Sequence, residues 1–142
     1  MRSEPYIQNR TLTDLKTDLE IVQREIAEAL AHNTYTEFAQ FAIRLCLEEA
    51  IVNAFRHGNR GAPGKVVEFR CDINHERAEF EVRDEGEGFD PSGVPDPTAD
   101  ENLEIPSGRG LMLMRAYMSE VEHVPPGNAL RMVYKNGPDP AD

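Results

Sequence analysis

The chain has no tryptophan, only two cysteines and no long apolar run, and each scarcity closes off a class of protein. The longest unbroken apolar stretch is Leu111 to Met114. A bilayer-spanning helix needs roughly 20 such residues, so no membrane span is expected. The opening Met1-Arg2-Ser3-Glu4-Pro5 leads into no apolar signal segment, and a cytoplasmic protein is the expectation. Cys46 and Cys71 fall in separate elements with no second thiol nearby in sequence, which argues for two packed thiols rather than a metal or redox motif. Positive charge is also scarce: 15 Lys and Arg face 26 Asp and Glu, a net of −11. Proteins that hold phosphate backbones do so mainly through positive surface, so nucleic acid is excluded as a partner.

What is present fits an ordinary globular chain, with 39% hydrophobic and 29% charged residues over 142 positions. That length is one domain, residues 1–142, able to build its core without disulfides or a structural metal. Residues 1–12 read as an extended lead-in, after which Thr11 or Thr13 is placed to cap a helix over about Asp14 to His32. Its apolar residues Leu15, Leu19, Val22, Ile26 and Leu30 recur at helical spacing. Thr36 is placed to cap a second helix running to about His57, where Gly58 and Gly61 end it. The pattern then changes to alternation: Val67, Phe69, Cys71 and Ile73 lie on one face and Glu68, Arg70 and Asp72 on the other. Asn74-His75-Glu76 turns that strand into a second, with Ala78, Phe80 and Val82 inward, as an antiparallel hairpin.

Between Asp84 and Pro106 stand eight acidic residues, four prolines and no basic residue, so a loop with little to bury is expected. Its negative field would steer partners with basic patches and repel acidic ones. Order resumes at Ser107 with a helix of about ten residues. A last hairpin turns at Pro125-Pro126-Gly127-Asn128 into Leu130, Met132 and Tyr134, and residues 137–142 form a frayed tail. The ordered core is about residues 10–135.

Three short patterns carry chemistry. At 100° per residue, with Phe38 at zero, Ala42 falls at about 40°, Leu45 at about 340° and Glu49 at about 20°. Glu49 therefore continues an apolar stripe, and Asn53, one turn later, projects from the same face. A carboxylate and a carboxamide there cost free energy without partners. Glu48 lies one turn from Arg44, where an i,i+4 ion pair on a solvated face accounts for it. Second, Asp84-Glu85-Gly86-Glu87-Gly88-Phe89-Asp90 directly follows a strand. Its glycines let backbone approach a ligand closely, and a carboxylate at the strand end can accept from an exocyclic amine, which separates adenine from guanine. It does not follow the calcium-loop pattern. Third, Ser107-Gly108-Arg109-Gly110-Leu111 opens a helix, whose first N–H groups form an anion site. It fits neither the Walker nor the dinucleotide fingerprint.

Taken in order, the three patterns resemble the GHKL ATP-binding superfamily, the fold of histidine-kinase catalytic domains, gyrase-type ATPases and heat-shock chaperones of that class. Glu49-Ala50-Ile51-Val52-Asn53-Ala54-Phe55-Arg56-His57-Gly58 looks like the N box, Asp84 to Phe89 the first glycine box, and Gly108-Arg109-Gly110-Leu111 the second. The wording is most similar to the bacterial anti-sigma-factor serine/threonine kinases. The fold implied is α+β, a two-layer sandwich with a mixed, mostly antiparallel sheet and helices on one face. The resemblance implies ATP and Mg²⁺ as ligands. Asn53 would coordinate Mg²⁺, Asp84 bind the adenine amine, and Gly86 and Gly88 shape the pocket floor. Gly108, Arg109, Gly110 and Leu111 would form the phosphate-holding turn, residues 90–107 the ATP lid, and Glu49 the general base. His57 matches a residue common in that group but equally fits a helix-end histidine beside the last carbonyls.

The function implied is phosphorylation of an anti-anti-sigma-type antagonist protein and sequestration of a sigma factor by a homodimer. The alternative is a nucleotide-binding partner switch of the same fold without phosphoryl transfer. A histidine-kinase fragment lacks support, since no room exists for a phosphoacceptor hairpin.

Overall fold

The computed structural model describes residues 5–86, 108–124 and 128–138. Five strands, β1 (Tyr6–Leu12), β2 (Val67–Ile73), β3 (Arg77–Arg83), β4 (Glu120–Val124) and β5 (Ala129–Lys135), form one sheet in the order β1-β2-β3-β5-β4. All four pairings among them are antiparallel. Helices α1 (Leu15–His32), α2 (Glu37–Asn53) and α3 (Gly108–Tyr117) supply the second layer. This is the expected two-layer α+β sandwich.

Alternation in the strands decides which sheet face the helices cover. Val67, Phe69, Cys71 and Ile73 of β2 and Ala78, Phe80 and Val82 of β3 are buried, while Glu68 and Arg70 face water. Across the hairpin the rings of Phe69 and Phe80 stack at 6.5 Å. The turn closes as expected, with Asn74 Oδ1 accepting from the N–H groups of Glu76 at 2.8 Å and Arg77 at 3.0 Å. α2 lies deepest: Ala42, Ile43, Cys46, Leu47 and Ile51 have no more than traces of exposed surface. Fully burying an aliphatic side chain of that size contributes about 1.5–3 kcal/mol. Both cysteines are free and buried, and burial pushes each thiol up to about 12, so both behave as packed thiols.

Two local expectations are corrected. The lead-in is a strand: β1 pairs along β2 from Tyr6 opposite Ile73 to Leu12 opposite Val67. Its alternation is hidden because Gln8 and Arg10 share the inner face with Tyr6 and Leu12, while Ile7 points to water. The polar inner residues reach α1 instead of the core, Arg10 and the Tyr6 hydroxyl both bonding Glu25 Oε2, at 2.6 and 3.0 Å. The cap of α1 is Asp14, neither Thr11 nor Thr13: its carboxylate accepts from Thr17 N–H at 3.0 Å. Asp18 reaches back to the N–H groups of Thr13 and Asp14, at 2.8 and 3.0 Å. A carboxylate there also favours the positive end of the helix dipole.

Candidate functional site

Thr36 caps α2 as expected, its hydroxyl accepting from Ala39 N–H at 3.1 Å. The buried residues of α2 centre on Cys46 and Ala50, so the face carrying Glu49 and Asn53 is the flank of the core stripe. Both residues are half-buried, one turn apart. Among the described residues neither side chain is drawn into a hydrogen bond or ion pair. Phe38, at the start of the same flank, meets Tyr117 of α3 edge-on at 6.0 Å, so α3 borders this side of α2. Glu48 is exposed as expected, but no ion pair with Arg44 is found among the described residues.

Beyond Asn53 the helix widens into a single π turn, Ala54–Gly58, closed by Asn59 N–H to the Ala54 carbonyl at 2.8 Å. Such turns widen a helix by one residue and are frequent at functional sites. Arg60 and Gly61, both at positive φ, then end it.

The end of β3 meets this turn. A Cβ built on Gly58 would stand 2.0 Å from Asp84 Oδ2, and one on Gly86 would stand 2.1 Å from the Gly58 carbonyl oxygen. No side chain fits either position. Gly58, Asp84 and Gly86 thus form one close contact that joins the helix bearing Glu49 and Asn53 to the first glycine pattern. The Asp84 backbone is fixed on the far side by Asn128: Asp84 N–H donates to the Asn128 carbonyl, and Asn128 Nδ2 to the Asp84 carbonyl, each at 2.9 Å. Its Oδ1 accepts from Gly86 N–H at 2.7 Å, and Oδ2 accepts no bond among the described residues. Burial raises the Asp84 carboxyl above its ordinary value, outweighing the Gly86 N–H and the charges of Arg83 and Lys65, which favour the ionised form.

Gly108, Arg109, Gly110 and Leu111 form the first turn of α3, where backbone N–H groups have no partner within the helix. Gly88 and the lid expected over 90–107 lie outside the described residues, as does the turn at Pro125 to Gly127. The structure therefore brings Gly58, Asp84 and Gly86 into one close unit, one π turn beyond the helix that carries Glu49 and Asn53.

Two residues of that unit escaped the sequence reading, Asn59 and Asn128. Asn59 is 1% exposed, with its amide donating to the Val66 carbonyl at 3.0 Å and its oxygen accepting from Glu85 N–H at 2.7 Å. In sequence it stands beside Gly58 in a stretch read only as a helix end. A groove of about 610 Å³ between α1 and α2, lined among others by Gln23, Arg24, Phe41 and Arg44, lies on the opposite flank of α2 and holds none of the predicted site residues.

A two-layer sandwich in which the helix carrying Glu49 and Asn53 leads into a glycine packed on a strand-end carboxylate, with a second helix opened by glycines, is the arrangement expected of the class of nucleotide-binding domain that the sequence resembles. Residues 12–134 match the histidine kinase-like ATPase domain family, and the chain belongs to it. Membership of that family implies nucleotide binding. Among curated proteins the chain is similar to the anti-sigma F factor of Halalkalibacterium halodurans, with 35% identity over 85 residues, 58% of this chain and 58% of the relative. It is likewise similar to the anti-sigma F factor of Bacillus cytotoxicus, 34% identical over 83 residues, 56% of each chain. The matches thus span little more than half the length of either relative. No helix among the described residues is long and apolar enough to cross a membrane.

Proposed function

We propose that the chain is an ATP-dependent protein serine/threonine kinase that phosphorylates an anti-anti-sigma-type antagonist and sequesters a sigma factor. The observation carrying this reading is that Glu49 and Asn53 share one half-buried flank of α2, and that the same helix runs unbroken to the contact of Gly58 with Asp84. That continuity supports reading Glu49 as the base, Asn53 as the metal ligand and Asp84 as the amine acceptor of one site. The similarity to anti-sigma F factors supports the sigma-factor partner.

The residues fit the ligands. Asn53 offers a carboxamide oxygen, a hard ligand that Mg²⁺ accepts while completing its shell with phosphate oxygens and water. Asp84 offers Oδ2, a desolvated acceptor suited to the adenine amine and repulsive to the guanine carbonyl oxygen. The first turn of α3, Gly108 to Leu111, offers N–H groups to phosphate. Bound MgATP supplies the transferable phosphoryl group. Glu49 takes the proton of the attacking hydroxyl, a role that contributes on the order of 10² to 10⁴ in rate. The reaction occurs in the cytoplasm, on a homodimer, with the acidic segment from Asp84 to Glu104 guiding partners that carry basic patches.

Labelled phosphate from ATP is expected to appear in a small antagonist co-purified from the native cell, and a sigma factor is expected to co-purify with it. Nucleotide binding without transfer to that antagonist would leave the partner-switch reading and remove the kinase.

A further inference from the structure

Asp84 can choose a purine only if its carboxylate is held still relative to the residues that hold the rest of the nucleotide. Asn53 sits on α2, and Asp84 on the sheet, so something must fix helix to strand. The end of β3 gains no help from apolar packing at this point, since Glu85 is exposed and Asp84 and Gly86 are half-buried. What joins them is a polar clamp centred on Asn59.

Asn59 follows the π turn directly, and its backbone N–H closes that turn on Ala54. Its side chain uses both ends at once: Nδ2 to the Val66 carbonyl at 3.0 Å, and Oδ1 from Glu85 N–H at 2.7 Å. Glu85 completes a ring, its Oε2 accepting from Val66 N–H at 2.6 Å. The helix end, the chain entering β2 and the residue after Asp84 are thereby tied through one buried carboxamide. Only an amide serves here, because the position needs one donor and one acceptor in fixed directions. The contact it maintains has no slack, for Gly58 lies against the Asp84 carboxylate with no room for a methyl group.

We infer that Asn59 is a positioning residue for the nucleotide site, which aims the Asp84 carboxylate by locking the end of α2 to the end of β3 and so sets the preference for adenine over guanine. This rests on the nucleotide reading of the site. Asn59 touches no ligand itself. Its removal frees Glu85 N–H and the Val66 carbonyl, the β3 end shifts away from Gly58, and Oδ2 of Asp84 turns toward water. Phosphate and metal contacts, carried by α2 and α3, depend much less on this clamp.

The test measures binding of ATP and GTP by calorimetry to the wild-type chain, Asn59→Ala and Glu85→Ala, at a temperature where circular dichroism shows each folded. Asn59→Ala is expected to lower the ATP-to-GTP affinity ratio about tenfold or more, mostly by weakening ATP. Glu85→Ala, which removes an exposed side chain and one bond of the ring, is expected to lower it a few-fold. A general loss of stability would not change the ratio of two nucleotides in a folded protein. Wild-type preference retained in both variants overturns the inference, and if Asn59→Ala does not fold, an unchanged ratio in Glu85→Ala overturns it alone. A wild-type chain that binds neither nucleotide, or both equally, would instead overturn the nucleotide reading itself. Carboxyl NMR titration of the free protein gives an independent check. Asp84 is expected to titrate closer to an ordinary aspartate in Asn59→Ala than in the wild type, and an unmoved titration counts against the clamp.

Discussion

The β2–β3 hairpin is tied to the helical layer at both ends by polar knots, and the two are built differently. At the turn end, the Tyr35 hydroxyl donates to the Asn74 carbonyl at 2.8 Å, and Asn136 donates through Nδ2 to the His75 carbonyl and through its N–H to the Glu76 carbonyl, both at 2.9 Å. The groups tied there are neutral hydroxyl, amide and backbone, and the ring of Tyr35 also packs on Tyr134 at 6.3 Å. At the open end, the knot includes the carboxylates of Asp84 and Glu85, and two glycines stand where no side chain fits. The turn end satisfies its groups at little electrostatic cost. The open end keeps a carboxylate partly desolvated, an arrangement that works against the fold and accords with the proposed role of Asp84 as a ligand acceptor.

Substitutions should therefore divide the two ends, function suffering at one and stability at the other. The largest effect is expected on the flank of α2 that leads to the open end. Glu49→Ala should slow phosphoryl transfer by about 10² to 10⁴ while leaving ATP affinity nearly unchanged. Asn53→Ala should lose both Mg²⁺-dependent affinity and turnover, and stopped-flow binding alongside steady-state phosphorylation separates the two. A fully active Glu49→Ala would remove that residue from the chemistry.

The glycine contact comes next. Gly58→Ala places a methyl carbon far inside contact distance of the Asp84 carboxylate, so either the backbone or the carboxylate must move. If the backbone yields, stability should fall by about 1–3 kcal/mol, as overpacking does. If Asp84 yields, a charge-assisted bond to the nucleotide is lost, which is about 10- to 100-fold in affinity. Thermal melts and calorimetry on one sample distinguish these, and a variant unchanged in both would contradict the contact.

Asp84→Asn tests the idea that the open end sacrifices stability for function. The folded-state pKa of Asp84 is raised, so the folded chain holds this proton more tightly than the unfolded chain does. Its contribution to stability is then full below the ordinary aspartate range and is lost as pH rises through the folded value. Asparagine never ionises. The variant should melt higher than the wild type at neutral pH, with the difference vanishing toward pH 3–4, while ATP affinity drops about 10- to 100-fold. Melting curves across that pH range check the sign, and a variant that melts lower at pH 7 would contradict it.

These contrasts also show why some of the molecule was legible in the sequence and some was not. The β2–β3 hairpin and α2 declare themselves because alternation and helical spacing follow from burying one face. β1 does not, since an edge strand whose inner Arg10 and Tyr6 bond to Glu25 has no apolar pattern to display. Glu49 and Asn53 stand out as polar groups where an apolar stripe makes them cost free energy, and Asp84 as a strand-end carboxylate followed by glycines. Asn59 did not, because asparagine after a glycine is ordinary at a helix end. Only folding brings Val66, seven residues on, and Glu85, 26 residues on, to the two ends of its carboxamide.

The smallest effect is expected at the turn end, where the comparison can be sharpened most cleanly. Tyr35 is 4% exposed, and its buried hydroxyl, pushed well above the ordinary tyrosine range by desolvation, stays neutral at any physiological pH. Tyr35→Phe keeps the ring and its packing on Tyr134 and removes only the donor to the Asn74 carbonyl. A single neutral hydrogen bond contributes about 0.5–1.5 kcal/mol, so stability should fall by about 1 kcal/mol with no pH dependence across the neutral range. ATP affinity and the ATP-to-GTP ratio should stay at wild-type values, because the knot lies at the far end of the hairpin from Asp84 and every group it loses is neutral. Denaturant melts at pH 6 and pH 8, paired with calorimetry, check both halves. A Tyr35→Phe chain that lost nucleotide preference would show that the two ends are coupled through the hairpin, and the division between a stabilising end and a functional end would fall.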